Sequence, residues 1–558
     1  MDRRLLRHAL IVALLISACS GATEEASTTS SAEPAPPPTT AATTIPPVAS
    51  TTTTVPDACP SAFCVIYHIR PEAVWSDGQP VTSADFTFTH EMGADSQAPI
   101  VDVKEMDEKT VVVVFSEAYG GWRSLFGVVL PAHATDAGSL LEVTAGPYVL
   151  ENWLVGESIT LRRNQRYWSE TDPVSGDPTG DVGEITFVFQ ESVRSALRAL
   201  DRDEIDVLSL KPLDWIVADV AGFEGVAYET APGPFWEHID FNLDDPLLSQ
   251  RWVREVIATA LPREAIIDET VRTVDPEAPS LDNSLWMTNA EAYQSHYDIT
   301  SSLETAEQIM VDHFCEKGDD GVYSCQGRRM SFTFAYPLGD PYRETIFRIA
   351  EDALDDIGIE LIERVMMPSA LFSTDFFFGG SQAWQIMSFS WRASEEPSLA
   401  NEIYLCEGDA PSGFGALNVT RYCSDEADTL IAAANTAVDA GERASIYNSV
   451  DAGYLADLAS IPLFQKPEFI AWNSELTGPR LNMSSSTTLW NVGSWAGRED
   501  IVVSIEEEPT TLDPLAPQSD SAAMILAALF SGAFSSDPAL QLRPVLIERA
   551  EIVIGGGG

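Results

Sequence analysis

The sequence predicts an α/β protein built from two or three lobes, and three observations carry that prediction. EITFVF (184–189), a helical stretch over 191–201 and IDVL (205–208) follow one another, and this β-α-β order seeds a sheet with helices packed on its faces. The alternation returns in the second half as a strand at 330–336, a helix at 341–356 and a strand at 359–365. About 500 residues of globular composition also exceed what a single hydrophobic core holds before a chain divides.

The elements follow in order. Arg3, Arg4 and Arg7 precede the apolar run ALIVALLI (9–16), and Ile16-Ser17-Ala18 lead into Cys19. This is a secretory signal over 1–18, too short to cross a bilayer. A cysteine directly after small residues resembles the lipobox of bacterial lipoproteins, which implies lipidation of Cys19 and attachment to a membrane. Residues 19–57 are Thr, Ser, Ala and Pro with few large apolar side chains. They cannot bury enough surface to offset their ordering entropy and read as a tether.

From residue 58 the pattern becomes structured. VIYHIR (65–70) alternates as a strand, Trp75-Ser76-Asp77-Gly78 is a turn, and Thr82 or Ser83 caps a helix with Asp85 in its first turn. TVVVVF (110–115) is a β-prone run, and SITLRR (158–163) is a strand before Asn164. His238 to Leu243 reads as a strand, 249–260 as a helix, and Pro262 opens another where its missing N–H costs nothing. A helix spans 303–315. Gly358 is a natural C′ residue for the helix at 341–356. A strand at 383–391, helices at 425–438 and 442–457, and a short hairpin of strands 461–464 and 468–472 complete the pattern.

The formal net charge is −53, which argues against nucleic-acid binding, since that needs basic patches. The same charge reads first as a solubility and high-salt adaptation of a surface protein, with attraction of cationic solutes as the sharper alternative. Of seven cysteines, Cys19 is set aside for lipidation. The other six fall in sequence-local pairs, and loop-closure entropy favours Cys59–Cys64, Cys315–Cys325 and Cys406–Cys423 as disulfides in an exported chain. No CxxC or His cluster marks a metal site. No GxSxG, HExxH or P-loop marks an enzyme, and no cofactor is expected.

Several segments share a family likeness. VIYHIRPEAVWSDGQPVTSADFTF (65–88), TAGPYVLENW (144–153), ITLRRNQRYW (159–168), ALRALDRDEIDVL (196–208) and FNLDDPLLSQRWVREVIATALPREAII (241–267) together resemble family 5 extracytoplasmic solute-binding proteins, the oligopeptide and dipeptide receptors of ABC importers. The resemblance implies a type II periplasmic-binding-protein-like fold: two α/β lobes with a hinge and cleft, plus a smaller extra subdomain. It also implies a monomer that captures a small solute, such as an oligopeptide, by hinge closure and delivers it to permease subunits. A surface adhesion or signalling protein on the same scaffold is the alternative.

The order of segments departs from the family. IVVSIEEEPTTLDPLAPQSDSAAMILAALFSGAF (501–534) resembles the usual start of the mature fold, and LRPVLIERAEIVI (542–554) resembles what normally leads into the strand at 65–70. The chain thus reads as circularly permuted, or else as a fragment of a rearranged gene. On the permuted reading, 58–240 is a first lobe with the extra subdomain, 241–492 a second lobe, and 493–558 completes the first.

The resemblance also nominates cleft residues. Trp391 matches a tryptophan that lines the family's ligand chamber, and Pro397 the proline after it. Gln518, Ser519 and Asp520 would face the chamber from the other lobe, with Phe235 and Trp236 as further walls. The acid that would hold a peptide's amino terminus is replaced by Ala393 and Ser394, with Glu395 and Glu396 slightly later.

Overall fold

The computed structural model describes residues 59, 61–96, 98–134, 139–190, 192–406, 416–482, 488–515 and 519–555. The signal, the tether with Cys19, and Gln518 lie outside these residues. Among the described residues no helix is long and apolar enough to cross a membrane.

The chain begins with strand β1 (Phe63–Ile69), helix α1 (Ser83–Glu91) and strands β2 (Ile100–Asp107) and β3 (Thr110–Phe115). Thr82 caps α1 reciprocally with Asp85, whose carboxylate accepts from the Thr82 amide at 2.7 Å. Next come β4 (Tyr148–Leu154), β5 (Ser158–Arg163), β6 (Glu184–Phe189), α2 (Val193–Asp201), β7 (Val207–Leu210), α3 (Asp214–Ala221) and the long β8 (Val226–Phe241).

Helices α4 (Arg251–Ala260), α5 (Arg263–Glu269) and α6 (Leu303–Asp312) lead to β9 (Ser331–Pro337), α7 (Pro341–Asp356), β10 (Glu360–Met366) and β11 (Ile386–Arg392). Asp340 caps α7 with Pro341 at its first turn, and Gly358 follows its end at φ +76°, the left-handed position that favours glycine. Helices α8 (Asp425–Thr436) and α9 (Ala440–Ala456) precede β12 (Ser460–Asn473), β13 (Asp500–Ile505), α10 (Asp520–Leu529) and β14 (Ile547–Ile554).

Ten strands form one sheet in the order β10-β9-β11-β8-β12-β7-β13-β6-β5-β4, and a second sheet runs β14-β1-β3-β2. The large sheet serves two lobes, with separate cores. One is built on Phe332, Phe334, Ile346 and Phe389, the other on Tyr148, Ile159, Phe187, Val503 and Ile525. The small sheet packs Tyr67, Phe86, Trp122 and Phe126 into a third core. This is the mixed α/β architecture expected from the sequence.

Two strands tie the lobes together. Val226–Pro232 of β8 pairs with Pro467–Asn473 of β12, beside β7. The remainder of β8 pairs with Ser460–Gln465 and, on its other side, with β11. The register slips between Gln465 and Pro467, where Pro467 has no N–H to donate.

Some expected elements are corrected. The hairpin at 461–464 and 468–472 is one strand, because the irregularity at Pro467 bends the chain without reversing it. The strand expected at His238 to Leu243 is only the end of β8, whose first half is interrupted in sequence by Pro232, Gly233 and Pro234. Strand β2 and helices α3 and α10 were not foreseen.

Cys59–Cys64, Cys315–Cys325 and Cys406–Cys423 are disulfide-bonded, the sequence-local pairing expected. The C-terminal β14 pairs antiparallel with β1 from Phe63 opposite Ile554 to Ile69 opposite Ile547. Strand β13 lies between β6 and β7, parallel to both.

Candidate functional site: the cleft at the strand crossing

Strands β6, β13 and β7 run parallel, so their carboxyl ends open on one side of the sheet. That side is where open α/β sheets bind ligands. A cavity of about 120 Å³ lies there. Its walls come from Lys211 after β7, Glu506 and Glu507 after β13, Asp520 at the start of α10, Pro234 and Phe235 at the crossing, Glu468 on β12 and Arg392 at the end of β11. Both lobes and both crossing strands thus contribute.

Apolar surface is supplied by Leu210, Phe235, Leu481 and Met524. The Arg392 guanidinium lies 5.6 Å from the centre of the Phe235 ring, a cation–π distance. Ser209 and Thr488 share a hydroxyl hydrogen bond of 2.8 Å on the first-lobe wall. Burial pushes the Glu468 carboxyl up to about 7; Lys211 and Arg392 pull it down, while Asp520 and Glu506 push it further up. Burial likewise raises Glu506, although Lys211 opposes this both by its charge and through its backbone amide, which donates to the carboxylate.

The nominated residues divide. Phe235 and Asp520 line the cavity. Ser519 instead caps α10, its hydroxyl accepting from the Ala522 amide at 3.2 Å. Trp391 does not face the cleft as expected, and neither does Trp236. Both are 3% exposed and belong to the second-lobe core. The reason is the two-residue period of the strand. Phe235 pairs with Arg392 at the cavity wall, so the next pair, Trp236 with Trp391, points to the other face. There Trp391 stacks 6.1 Å from His238 and packs 4.9 Å from Phe389.

Glu396 is also diverted from the cleft. It is buried and accepts from Arg443 Nη1 at 2.7 Å and from the Ser398 amide and hydroxyl. Pro397 opens the 3₁₀ turn that follows. The charged wall residues that sequence reasoning missed are Lys211, Arg392, Glu468, Glu506 and Glu507. The run EIDVLSLK holds one signal, since a cation directly after a central strand sits at the carboxyl edge of the sheet.

Behind the crossing lies a buried ion network. Glu237 accepts from Arg343 Nε at 2.9 Å and Nη2 at 3.1 Å, and from the hydroxyls of Ser388 at 2.8 Å and Ser390 at 2.7 Å. Lys466 sits 3.3 Å from the same carboxylate and also pairs with Asp340. Burial alone would raise Glu237, but Arg343 and Lys466 hold its carboxyl well below the usual range.

Residues 60–404 match the family model described as bacterial extracellular solute-binding proteins, family 5, middle region. The oligopeptide-binding protein OppA of Mycobacterium tuberculosis is 26% identical over 440 residues, covering 74% of this chain and 71% of the relative. The periplasmic EDTA-binding protein EppA superposes with a TM-score of 0.66 at 20% identity, over 78% of this chain and 85% of that one. AppA of Bacillus subtilis, solved in complex with a nonapeptide, superposes at 0.56 with 19% identity, over 78% and 88%. A matched segment that spans most of the folded chain, two lobes joined by two crossing strands and a cavity at that crossing make this chain a member of the family 5 extracellular solute-binding proteins, a binder of solutes outside the cytoplasm.

Proposed function

We propose that the protein captures one small solute in the cavity at the β8–β12 crossing, by closing the lobes about that crossing, and presents it to the permease of an ABC importer. The observation that carries this reading is the position of the cavity. Its wall includes the very strands that join the lobes, so a solute touching both sides stabilises the closed arrangement over an open one. Contacts already bridge the lobes elsewhere. Asn289 Nδ2 donates to the Pro538 carbonyl at 2.7 Å, Gln541 Nε2 to Glu291 at 2.7 Å, and the Gly120 amide to the Asn435 carbonyl at 2.7 Å. Opening would break them, and bound solute would restore the balance.

Phe235, Asp520, Glu468, Lys211, Arg392 and Glu506 are the proposed contact residues. OppA and AppA are named for oligopeptides and EppA for EDTA. With Glu396 held by Arg443, an oligopeptide amino group would need another acid here. The lobes are best divided at 232–234 and 465–467. Thermal unfolding against a solute library tests the reading, because a ligand bound only to the native state raises Tm, by about 2.7 kcal/mol of stability at a hundredfold excess over Kd. A Tm unmoved by every class of solute would sink it.

Two further points belong to this reading. Cys19 would carry the lipid anchor; its replacement by Ser should release the protein into the medium, and retention on the cell would count against it. The segment order would be a circular permutation. Its support is the pairing of β14 with β1 and the Gly555 amide donating to the Ala62 carbonyl at 2.8 Å. A chain re-linked with 500–555 ahead of residue 59 should therefore fold to the same Tm within a few degrees, and failure to fold would refute the permutation.

A further inference from the structure

The charge on the cavity wall is unequal. Glu468, Glu506, Glu507 and Asp520 share the wall with Lys211 and Arg392, so among the described residues its carboxyl groups outnumber its cations by two. These acids are also placed differently from one another. Glu506 has the Lys211 amide as a donor. Asp520 is exposed at the start of α10. Glu468 is half-buried beside Phe235 and Pro234, and among the described residues no hydrogen bond reaches its carboxylate.

The fold makes room for Glu468 where it would otherwise not fit. A Cβ on residue 233 would lie 2.6 Å from Glu468 Cγ and 3.0 Å from Oε1, so the glycine lets this acid lie against the crossing. A carboxylate in such a place is costly until a positive group meets it. Leu210, Pro234, Phe235, Leu481 and Met524 give the same cavity its apolar surface.

We propose, building on the receptor reading above, that the cleft takes a small organic cation, an amine or guanidine on a short apolar body, with Glu468 at the hinge and Asp520 on the first lobe as its carboxylate partners. An anionic solute would add charge to a wall already in excess of carboxylates. A neutral one would leave Glu468 with Lys211 and Arg392 alone to offset its charge, and Lys211 also serves Glu506. The net charge of −53 acts in the same direction by raising the local concentration of cations, an effect that salt weakens.

The test uses the full chain and four probe groups in thermal unfolding and calorimetry: agmatine, putrescine and L-arginine as cations; L-glutamate and succinate as anions; trehalose as a neutral solute; and trialanine as a peptide. The expected result is a Tm rise with the cations alone, tighter at low salt. Glu468→Gln should weaken cation binding at least tenfold and Asp520→Asn several-fold, with circular dichroism unchanged in both. Preferred binding of the anions, trehalose or trialanine would overturn the cation assignment while leaving the receptor reading intact. So would undiminished cation binding by both variants. No Tm rise with any probe, followed by none across the wider library, would overturn both.

Discussion

Gly233 lies so close to Glu468 that a Cβ placed on it would fall 2.6 Å from Glu468 Cγ, and 2.8 Å from the carbonyl oxygen of Lys466. The second contact is to backbone and cannot be relieved by a side-chain rotation. Gly233→Ala must therefore push β8 and β12 apart where they join the lobes. Overpacking of this kind costs about 1–3 kcal/mol. The expected outcome is a lower Tm together with weakened solute binding, because the displaced strands also form the cavity wall. Unchanged Tm and affinity in the variant would show that the crossing tolerates the extra atom.

Glu468 gives the protein a pH signature with a defined sign. Its folded value is raised to about 7 from an ordinary 4.5. Below about 4.5 the group is protonated in both folded and unfolded chains and contributes nothing. Between 4.5 and 7 the folded chain holds a proton that the unfolded chain releases, so this group lowers stability as pH rises through that window. Above 7 the cost is constant. Lys211, Arg392, Asp520 and Glu506 face the same carboxyl and set how steep the change is. Glu468→Gln should raise stability by about 1–3 kcal/mol at pH 8, with the gain gone by pH 4. Denaturant unfolding at the two pH values checks it, and an equal effect at both would contradict the assignment.

The fate of Glu468 shows what sequence could and could not supply. The β-α-β rhythm, the capping of α1 by Thr82 and the stop at Gly358 are local signals, and the structure places them as read. The cysteine pairs were legible for the same reason, since each closes a short loop. The hinge was not legible. Pro232-Gly233-Pro234 and Pro467 read as breaks between separate elements, whereas each lies inside one long strand whose pairing is made across more than 200 residues. The site was half legible. Phe235 and Asp520 were nominated by likeness, but the side of β11 on which Trp391 emerges depends on its register with β8, and register is a tertiary property. Lys211, Glu468 and Glu506 sit far apart in sequence, and only the parallel arrangement of β7 and β13 beside β12 gathers them.

Trp391 and Phe235 therefore separate stability from binding. Trp391→Ala empties a core position beside His238, Phe389 and Phe377 and should cost about 3–5 kcal/mol. Trp391→Phe, which keeps an apolar ring there, should lose less and bind solute normally at low temperature. Phe235→Ala removes cavity wall and the ring under Arg392, so it should weaken binding by more than tenfold for a smaller loss of Tm. Calorimetric titration beside thermal unfolding of the three variants decides it. If Trp391→Phe loses binding as severely as Phe235→Ala, the two faces of the β8–β11 pair have been assigned the wrong way round.

Arg343 and Glu237 make the sharpest stability prediction. Both are about fully buried, and two hydrogen bonds join them. Arg343→Met would leave Glu237 with Lys466 as its remaining cation, and breaking a buried pair from one side costs about 3–5 kcal/mol. Removing both charges, as Glu237→Met with Arg343→Met, should recover much of that loss, since Lys466 still pairs with Asp340, although the Ser388 and Ser390 hydroxyls lose their acceptor. The pH dependence runs opposite to that of Glu468. Burial opposes ionisation of Glu237, yet Arg343 and Lys466 hold its carboxyl below its ordinary 4.5, so its contribution is complete above that value and is lost as pH falls through the lower folded one. The wild-type protein should thus lose stability more steeply below pH 4.5 than the double variant. Urea unfolding of the wild type, single and double variants at pH 7 and pH 3.5 measures all of this. A double variant as unstable as Arg343→Met at pH 7 would mean that the network stabilises the crossing through its hydroxyls and shape rather than through its charges.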